Sequence, residues 1–222
     1  NDFDASQLVE VIPQFHDTRN RYRQLEEAIR EDRVGRVKEV QEEIAFIQDR
    51  KADCFLLYDL LDEGVLPLRV THNDTKLNNI MFDSETKEPL CIVDLDTVMP
   101  GLVLFDFGDS IRFGANDCAE DEPDLSKVNF DFDLYETYVK GFIEGTNGIL
   151  TEAELEYLPW GARVITLEQG IRFLTDYING DVYYATTRPG QNLDRARTQL
   201  KLVQDMENVW DKMVEAVKNA QK

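Results

Sequence analysis

Cysteine is scarce in this chain, with three residues in 222, and all three are widely spaced. Cys54, Cys91 and Cys118 form neither a ladder of disulfide pairs nor a CxxC metal or redox motif. Cys54 and Cys91 lie in apolar runs, which predicts buried thiols in a reducing compartment. The pattern argues against a disulfide-stapled secreted domain and favours a cytoplasmic protein.

Long apolar runs are missing as well. No stretch approaches the ~20 apolar residues that a membrane-spanning helix needs. The start of the chain also lacks the charged, apolar and small-residue succession of a signal peptide. Because a membrane-spanning run is missing, we expect no membrane partner. Internal repeats and linker-like stretches are also absent, so we expect a single domain over residues 1–222.

Positive charge is the third shortage, since 24 Lys and Arg face 44 Asp and Glu, giving a formal charge of −20. Such a field repels nucleic acid, and no basic stripe with interleaved aromatic residues relieves it. We therefore expect no nucleic-acid partner. A phosphate-bearing substrate would need a metal ion to shield its charge from the protein.

Helical periodicity dominates the sequence, and short strand-like runs surround one central stretch. Asp17 is a suitable N-cap for the first helix, and Thr151 with Glu154 forms a capping box. We expect Pro159 and Gly161 to interrupt the helix that this box opens. The predicted helices cover 18–32, 36–61, 103–113, 132–145, 163–178 and 191–219.

The acidic segment 117–125 carries five acids and a proline. The acids lack the regular alternation of a calcium-binding loop. We interpret this segment as a solvated, mobile surface loop and not as a metal site.

The central stretch, 68–97, combines short apolar strands with polar residues at their ends. His72, Asp74 and Asn79 fit H-x-D-x-x-x-x-N, the catalytic-loop pattern of kinase-like phosphotransferases. In such enzymes a metal-binding Asp closes a later strand, and Asp94 follows the next apolar strand here. The joint occurrence of both halves, in order, predicts phosphoryl transfer.

Two side chains are candidates for the chemistry itself. Asp74 occupies the place of the base that accepts the proton of the attacking hydroxyl. Lys76, two residues on, is within reach of the transferring phosphoryl group and can offset its charge. We interpret His72 as a structural residue that braces the loop, because the pattern already supplies a carboxylate base.

Three oxygen donors form the predicted magnesium site. Asn79 and Asp94 suffice for Mg²⁺, which takes few protein ligands and completes its shell with phosphate and water oxygens. Asp96, two residues after Asp94, is a candidate ligand for a second Mg²⁺ or for a metal-bound water. A solvated strand end is the plain structural alternative for the two aspartates.

Two other motifs allow different interpretations. Asp106-Phe107-Gly108 spells the DFG metal motif of protein kinases, but here it opens a helix instead of closing a strand. We therefore expect Asp106 to be a buried carboxylate that accepts hydrogen bonds from backbone N–H groups of the catalytic region.

Asp94-Leu95-Asp96-Thr97-Val98 looks like the first motif of haloacid dehalogenase-type phosphatases. Long helices precede it and no parallel α/β pattern follows, which disfavours that fold.

The stretches THNDTKLNNIMFD, CIVDLDTVMPG and FDFGDSIR resemble the aminoglycoside phosphotransferase and choline kinase superfamily. Within it, the likeness is greatest to the N-acetylhexosamine 1-kinases and runs from IPQFHDT at 12–18 to NLDRARTQL at 192–200. The resemblance implies a helix-rich α+β fold, the C-terminal lobe of a protein-kinase-like structure. It also implies ATP as phosphoryl donor, Mg²⁺, and an amino sugar (GlcNAc or GalNAc) phosphorylated at its anomeric hydroxyl.

The same resemblance implies that Thr97, Arg172 and Tyr183 line the sugar pocket. An ion pair of Arg172 with Asp176 or Asp181 is an equally good structural explanation for an Arg in an apolar helical run. Tyr183 is equally compatible with a packed aromatic side chain.

One part of the kinase pattern is missing. The first 67 residues contain no Gly-rich phosphate loop and no strand Lys with a helical Glu partner. We therefore expect this chain to lack the N-terminal lobe that covers ATP and to show little kinase activity alone. Kinases of the same fold acting on choline, an aminoglycoside or homoserine, and a non-catalytic kinase-like binding domain, remain alternatives.

Overall fold

A computed structural model describes residues 3–222; the predicted domain 1–222 begins with two residues that lie outside this range. Eight α-helices dominate the described part, which confirms the helix-rich α+β prediction. Their bounds are Thr18–Glu31 (α1), Gln41–Gln48 (α2), Lys51–Asp62 (α3), Val103–Gly114 (α4), Phe132–Gly145 (α5), Glu152–Asn179 (α6), Gln191–Asn208 (α7) and Trp210–Ala220 (α8).

Four short strands form two antiparallel ribbons around the central stretch. The strands are Arg69–Thr71 (β1), Ile80–Phe82 (β2), Pro89–Ile92 (β3) and Met99–Gly101 (β4). β1 pairs with β4, and β2 pairs with β3. The loop between β1 and β2 therefore lies between two ribbons, which fixes both of its ends.

Helix α6 is the central element of the fold, and α4, α7 and α1 pack along it. The contact with α4 depends on two glycines: a Cβ on Gly108 would lie 2.3 Å from the carbonyl oxygen of Gly161, and one on Gly161 would lie 2.5 Å from that of Leu104. The predicted interruption at Pro159 is wrong, because α6 runs through this residue without a break. The close backbone contact with α4 on this stretch outweighs the hydrogen bond that proline cannot donate.

Two predicted long helices are each divided. The helix expected over 36–61 begins at Gln41, ends at Gln48 and restarts at Lys51, and Arg50 between the two parts has non-helical dihedral angles. The guanidinium of Arg50 lies over the Phe46 ring and pairs with Glu207, so a tertiary ion pair holds the break. The helix expected over 191–219 divides in the same way at Val209.

The acidic segment 117–125 is tethered to neighbouring helices, contrary to the mobile loop expected. Glu120 pairs with Arg112 at 3.0 Å, and Asp121 accepts hydrogen bonds from Arg188 and Gln191. Arg188 and Gln191, which lie 67 and 70 positions after Asp121, thus help to hold a segment whose composition alone suggests solvation.

The two cysteines of apolar runs have different environments. Cys54 is buried, as predicted, but Cys91 is exposed. The prediction for Cys91 is wrong because every residue of β3 is exposed. Within residues 3–222, no helix has the length and apolar character that crossing a membrane requires.

Candidate active site

The loop after β1 is anchored to the first turn of α4. Asp106 accepts hydrogen bonds from the backbone N–H groups of His72 at 2.9 Å and Asn73 at 2.7 Å. Burial raises the pKa of Asp106, and the two N–H groups partly oppose that shift. The Thr75 hydroxyl donates to the Asp106 carbonyl at 2.6 Å. The literal DFG sequence therefore serves here to hold the loop.

Asn73, next to the predicted base, has a left-handed backbone with φ of 65°. Its side-chain amide donates to the carbonyl oxygens of Thr71 and Thr97, at 3.2 and 3.0 Å. Gly101 on β4 makes room for this arrangement, since a Cβ there would lie 2.3 Å from Thr71 Oγ1. An unusual conformation of this kind persists where its surroundings over-determine it.

The Asp74 carboxylate has two donors of its own. Its Oδ2 accepts from Lys76 Nζ at 2.7 Å and from Asn79 Nδ2 at 2.9 Å. The side chain of Asp74 is 25% exposed, so it faces solvent while its orientation is fixed. Lys76 thus contacts the predicted base directly in this structure.

His72 braces the loop against the strand that leads to Asp94. Its Nδ1 accepts from the Asp74 N–H at 3.3 Å, and its Nε2 lies 3.1 Å from the Val93 carbonyl oxygen. A carbonyl only accepts, so these partners require the tautomer with hydrogen on Nε2. The Thr97 hydroxyl donates to the His72 carbonyl at 2.7 Å.

The three predicted magnesium ligands flank one end of the β2–β3 ribbon, since Asn79 precedes β2 and Asp94 and Asp96 follow β3. The Val93 N–H donates to the Asn79 carbonyl at 2.9 Å, which places Asn79 beside the strand end where Asp94 follows. Asn79 uses its amide nitrogen toward Asp74, which leaves its side-chain oxygen free of hydrogen bonds in the described structure. Asp94 and Asp96 are exposed, and neither carboxylate has a hydrogen-bond partner among the described residues.

This donor set fits Mg²⁺, which prefers oxygen ligands and needs few from protein. Between residues 3 and 222 no cluster of three or more His, Cys, Asp or Glu side chains has metal-binding geometry. A site of two carboxylates and one amide is compatible with that result, because nucleotide phosphates and water complete such a shell.

A cleft of about 470 Å³ opens beside Asp74, and we call it the Asp74 cleft. Four of the predicted site residues line it: Asp74, Lys76, Thr97 and Arg172. The others that line it are Phe15, Arg112, Phe113, Glu120, Gln169, Phe173, Tyr184, Ala185 and Arg195.

Tyr183 does not line the Asp74 cleft. It is 73% exposed and borders a neighbouring pocket of about 160 Å³, whereas Tyr184 lines both pockets. Asp176 sets this arrangement, because its buried carboxylate accepts the backbone N–H groups of residues 182, 183 and 184. The turn therefore presents the second tyrosine of the pair to the cleft.

Arg172 forms no ion pair with Asp176 or Asp181, so that structural explanation is wrong. Asp181 pairs instead with Arg36, and Asp176 is occupied by the backbone. Arg172 donates to Gln169 Oε1 at 3.1 Å, and its guanidinium lies 5.7 Å from the centre of the Tyr184 ring.

A family model described as the phosphotransferase enzyme family matches residues 3–138, a span that includes the entire catalytic loop and the predicted metal ligands. The chain belongs to this family. The match confirms the aminoglycoside phosphotransferase and choline kinase superfamily, and it identifies an ATP-dependent phosphotransferase that acts on a small molecule.

Membership in this phosphotransferase family removes the haloacid dehalogenase alternative. Asp94 follows β3, which pairs antiparallel with β2 in a two-stranded ribbon. The phosphatase fold needs this aspartate at the end of a strand in a parallel sheet, and no parallel pair occurs among the described strands.

Sequence reasoning missed several cleft residues of this phosphotransferase. Arg112, Gln169 and Arg195 lie on three different helices, and the H-x-D-x-x-x-x-N pattern includes none of them. Gln169 was detectable in principle, because it lies three residues from Arg172 and therefore on the same helical face. Arg112 and Arg195 lie within FDFGDSIR and NLDRARTQL, so the family resemblance of these stretches was the available signal.

Proposed function

We propose that this phosphotransferase transfers the γ-phosphoryl group of ATP to the anomeric hydroxyl of an N-acetylhexosamine, giving the sugar 1-phosphate. The observation that carries the proposal is the position of Asp74, whose oriented carboxylate lines a cleft with arginine donors and aromatic rings. Hydroxyl and acetamido oxygens accept hydrogen bonds from guanidinium groups, and sugar C–H faces pack on rings.

The cleft has unpaired cations but no unpaired carboxylate. Arg172 and Arg195 have no carboxylate within salt-bridge distance in the described part of the chain. Of the two acids that line the cleft, Asp74 is paired with Lys76 and Glu120 with Arg112. A neutral, oxygen-rich acceptor suits this lining.

Cationic acceptors fit the same lining poorly. The quaternary ammonium of choline and the ammonium groups of an aminoglycoside require free carboxylates or an uncharged aromatic cage. Arg172 and Arg195 would repel them at short range. The formal charge of −20 is therefore a property of the whole surface and not of the Asp74 cleft.

In the proposed reaction, the hydroxyl oxygen of the acceptor bonds to the γ-phosphorus of ATP while its proton passes to Asp74. The bond between the γ-phosphorus and ADP breaks, and ADP leaves. The Asn79 amide and the His72 brace keep the Asp74 carboxylate in place. Lys76 can shift from Asp74 to the transferring phosphoryl oxygens, where its charge is then needed. Mg²⁺ held by Asn79 and Asp94, with Asp96 beside them, would supply charge neutralisation on the nucleotide phosphates.

The remaining predictions stand as parts of this proposal. They are the roles of the site residues, the amino-sugar partner and the organisation of residues 1–222 as one C-terminal catalytic lobe that is nearly inactive alone. The β2–β3 ribbon and the turn after Asp94 expose apolar side chains that a nucleotide base or a further part of a kinase can cover. These are Met81, Phe82, Leu90, Ile92 and Leu95.

The test is ³¹P NMR of the intact natural protein that contains this sequence, with MgATP and GlcNAc, GalNAc, choline or kanamycin. We expect a sugar 1-phosphate signal with a hexosamine only. Asp74→Asn should lower kcat by about 10²–10⁴-fold, because it removes the base. Asp211→Asn, on an exposed position of α8, is the matched control and should leave kcat unchanged.

Three outcomes would contradict the proposal. Phosphorylation of choline or kanamycin in preference to both hexosamines would replace the acceptor. Undiminished phosphorylation by Asp74→Asn would show that Asp74 is not the base. Absence of phosphorylation of every acceptor by the unsubstituted protein would favour the non-catalytic binding domain.

A further inference from the structure

A buried imidazole links the segment before α1 to the catalytic loop. His16 Nε2 lies 2.9 Å from the carbonyl oxygen of Asn73, and His16 Nδ1 lies 3.0 Å from Glu168 Oε1. All three residues are buried. His16 and Glu168 stand outside the H-x-D-x-x-x-x-N pattern, and neither lines the Asp74 cleft.

The partners of His16 favour hydrogen on both ring nitrogens. The Asn73 carbonyl only accepts, and Glu168, which also accepts the Thr18 hydroxyl at 2.6 Å, is the acceptor on the other side. Burial acts to lower the pKa of His16, but the charge and hydrogen bond of Glu168 raise it overall. Burial likewise acts to raise the pKa of Glu168, and His16 reverses that shift. Both shifts favour the charged pair of imidazolium and carboxylate.

The carbonyl that His16 binds belongs to the strained residue before the base. Asn73 has a positive φ, its N–H is bound by Asp106, and its side chain is bound by Thr71 and Thr97. Its carbonyl oxygen is the remaining polar group, and His16 is its partner. The orientation of the following residue, Asp74, depends on this fixed peptide unit.

Glu168 connects that peptide unit to the wall of the cleft. It lies on α6 directly before Gln169 and one turn before Arg172, and both of those side chains line the Asp74 cleft. The same turn of α6 therefore contacts the catalytic loop through His16 and also provides side chains that line the proposed acceptor site.

We propose that His16 is a positioning residue for phosphoryl transfer, which through Glu168 and the Asn73 carbonyl holds Asp74 in register with the acceptor bound along α6. This inference rests on the proposed function. His16 acts through Asn73 and touches neither substrate nor base.

Other groups near the pair do not replace it. Asp106 and Asp109 on α4 and Arg172 on α6 interact with it electrostatically, but none of them hydrogen-bonds the Asn73 carbonyl. The Phe15 and Phe105 rings pack on His16, with centroids 4.6 and 5.2 Å from its own, and limit access of water. A lost imidazole would therefore leave this carbonyl without a donor.

The experiment compares His16→Ala and His16→Gln in the intact natural protein. Asp53→Asn is the control. It removes a carboxylate on α3 that pairs at 2.6 Å with Arg163 on α6, the helix that also carries Glu168. The measurements are kcat, both KM values, the unfolding temperature and amide hydrogen exchange over residues 72–79.

We expect His16→Ala to lower kcat by about tenfold or more, because small displacements of a catalytic group are costly. Both KM values should change less than about threefold, and exchange over 72–79 should accelerate. His16→Gln, which retains a donor for the Asn73 carbonyl, should recover part of kcat. The Asp53→Asn control should change neither kcat nor the exchange rate over 72–79, even if its unfolding temperature falls as much as that of the His16 variants.

The inference is overturned if the His16 variants and the control lose the same amount of unfolding temperature and kcat falls no further in the His16 variants than in the control. Should the unsubstituted protein phosphorylate no acceptor, the proposed function fails, and exchange still decides the anchoring. Faster exchange over 72–79 in the His16 variants alone supports the anchor, and equal exchange in all variants refutes it. His16→Gln carries the comparison if His16→Ala does not fold.

Discussion

The catalytic loop and the Asp74 cleft are built in different ways. Residues 72–79 are contiguous and are held chiefly through backbone groups, by Asp106, Thr97 and His16. The wall of the cleft comes from side chains far apart in the chain, among them Phe15, Arg112 and Arg195. In the proposed mechanism the chemistry is therefore encoded locally, whereas acceptor selection depends on the packing of distant helices.

Removing a cleft side chain should separate the two regions most strongly. We expect Arg172→Met to lower kcat/KM for the acceptor by about 10–100-fold, the loss of one to two charge-assisted hydrogen bonds. The KM for ATP should stay within about twofold, because Arg172 lines the Asp74 cleft and the predicted metal ligands do not. Steady-state kinetics with each substrate varied in turn will measure both quantities.

Arg197→Met provides the matched control, because that guanidinium pairs with Glu43 and is absent from the cleft lining. An equal loss of acceptor kcat/KM in both variants would contradict a binding role for Arg172.

A change on the loop side should have the converse effect. Gly101→Ala forces a methyl group against Thr71 Oγ1 and Asn73 Oδ1, at 2.3 and 2.9 Å. We expect the free energy of unfolding to fall by about 2 kcal/mol from overpacking, with kcat reduced more than the acceptor KM is raised. Chemical denaturation and kinetics will measure the two effects.

Gly114→Ala is the appropriate comparison, since a Cβ there meets nothing within 4 Å and Gly114 lies at the end of α4. That variant should be neutral or slightly stabilising. Equal destabilisation of both variants would show that the close approach to Thr71 does not matter.

The smallest expected effect concerns pH and the pair that joins the two regions. Because the folded pKa of His16 is raised, its contribution to stability is complete below the unfolded pKa and is lost as pH rises through the folded pKa. Because the folded pKa of Glu168 is lowered, its contribution is present above its unfolded pKa and lost as pH falls through the folded value. Stability from the pair is therefore greatest in mildly acidic to neutral solution.

Urea unfolding at pH values from about 5 to 9 will test this, since a tenfold difference in proton affinity between folded and unfolded protein corresponds to about 1.4 kcal/mol. The fall in stability above neutral pH should be smaller in His16→Gln than in the unsubstituted protein. Parallel pH profiles for the two proteins would show that His16 does not titrate with folding.

Much of the loop was predictable from the sequence because its determinants are close together. The spacing of His72, Asp74 and Asn79, the strands on either side and the capping box at Thr151 are all local patterns, and the family match or the structure confirms the fold that they indicate. The roles of the individual site residues stay predictions.

What the sequence did not reveal depends on tertiary contacts. The division of the helix at Arg50 follows from its pairing with Glu207, 157 positions later in the chain. The continuity of α6 through Pro159 follows from its packing on α4. The choice of Tyr184 over Tyr183 follows from the buried carboxylate of Asp176, and periodicity carries no record of such contacts.

The Asp176 carboxylate also has a thermodynamic consequence for the acceptor. By binding three successive N–H groups and the Asn192 amide, it fixes the turn that presents Tyr184 before any ligand arrives. The entropic cost of ordering this turn, which forms part of the cleft wall, therefore arises during folding and not when the acceptor binds. A preorganised wall lets a small acceptor, with few atoms to contribute contacts, reach useful affinity without an induced rearrangement of the turn.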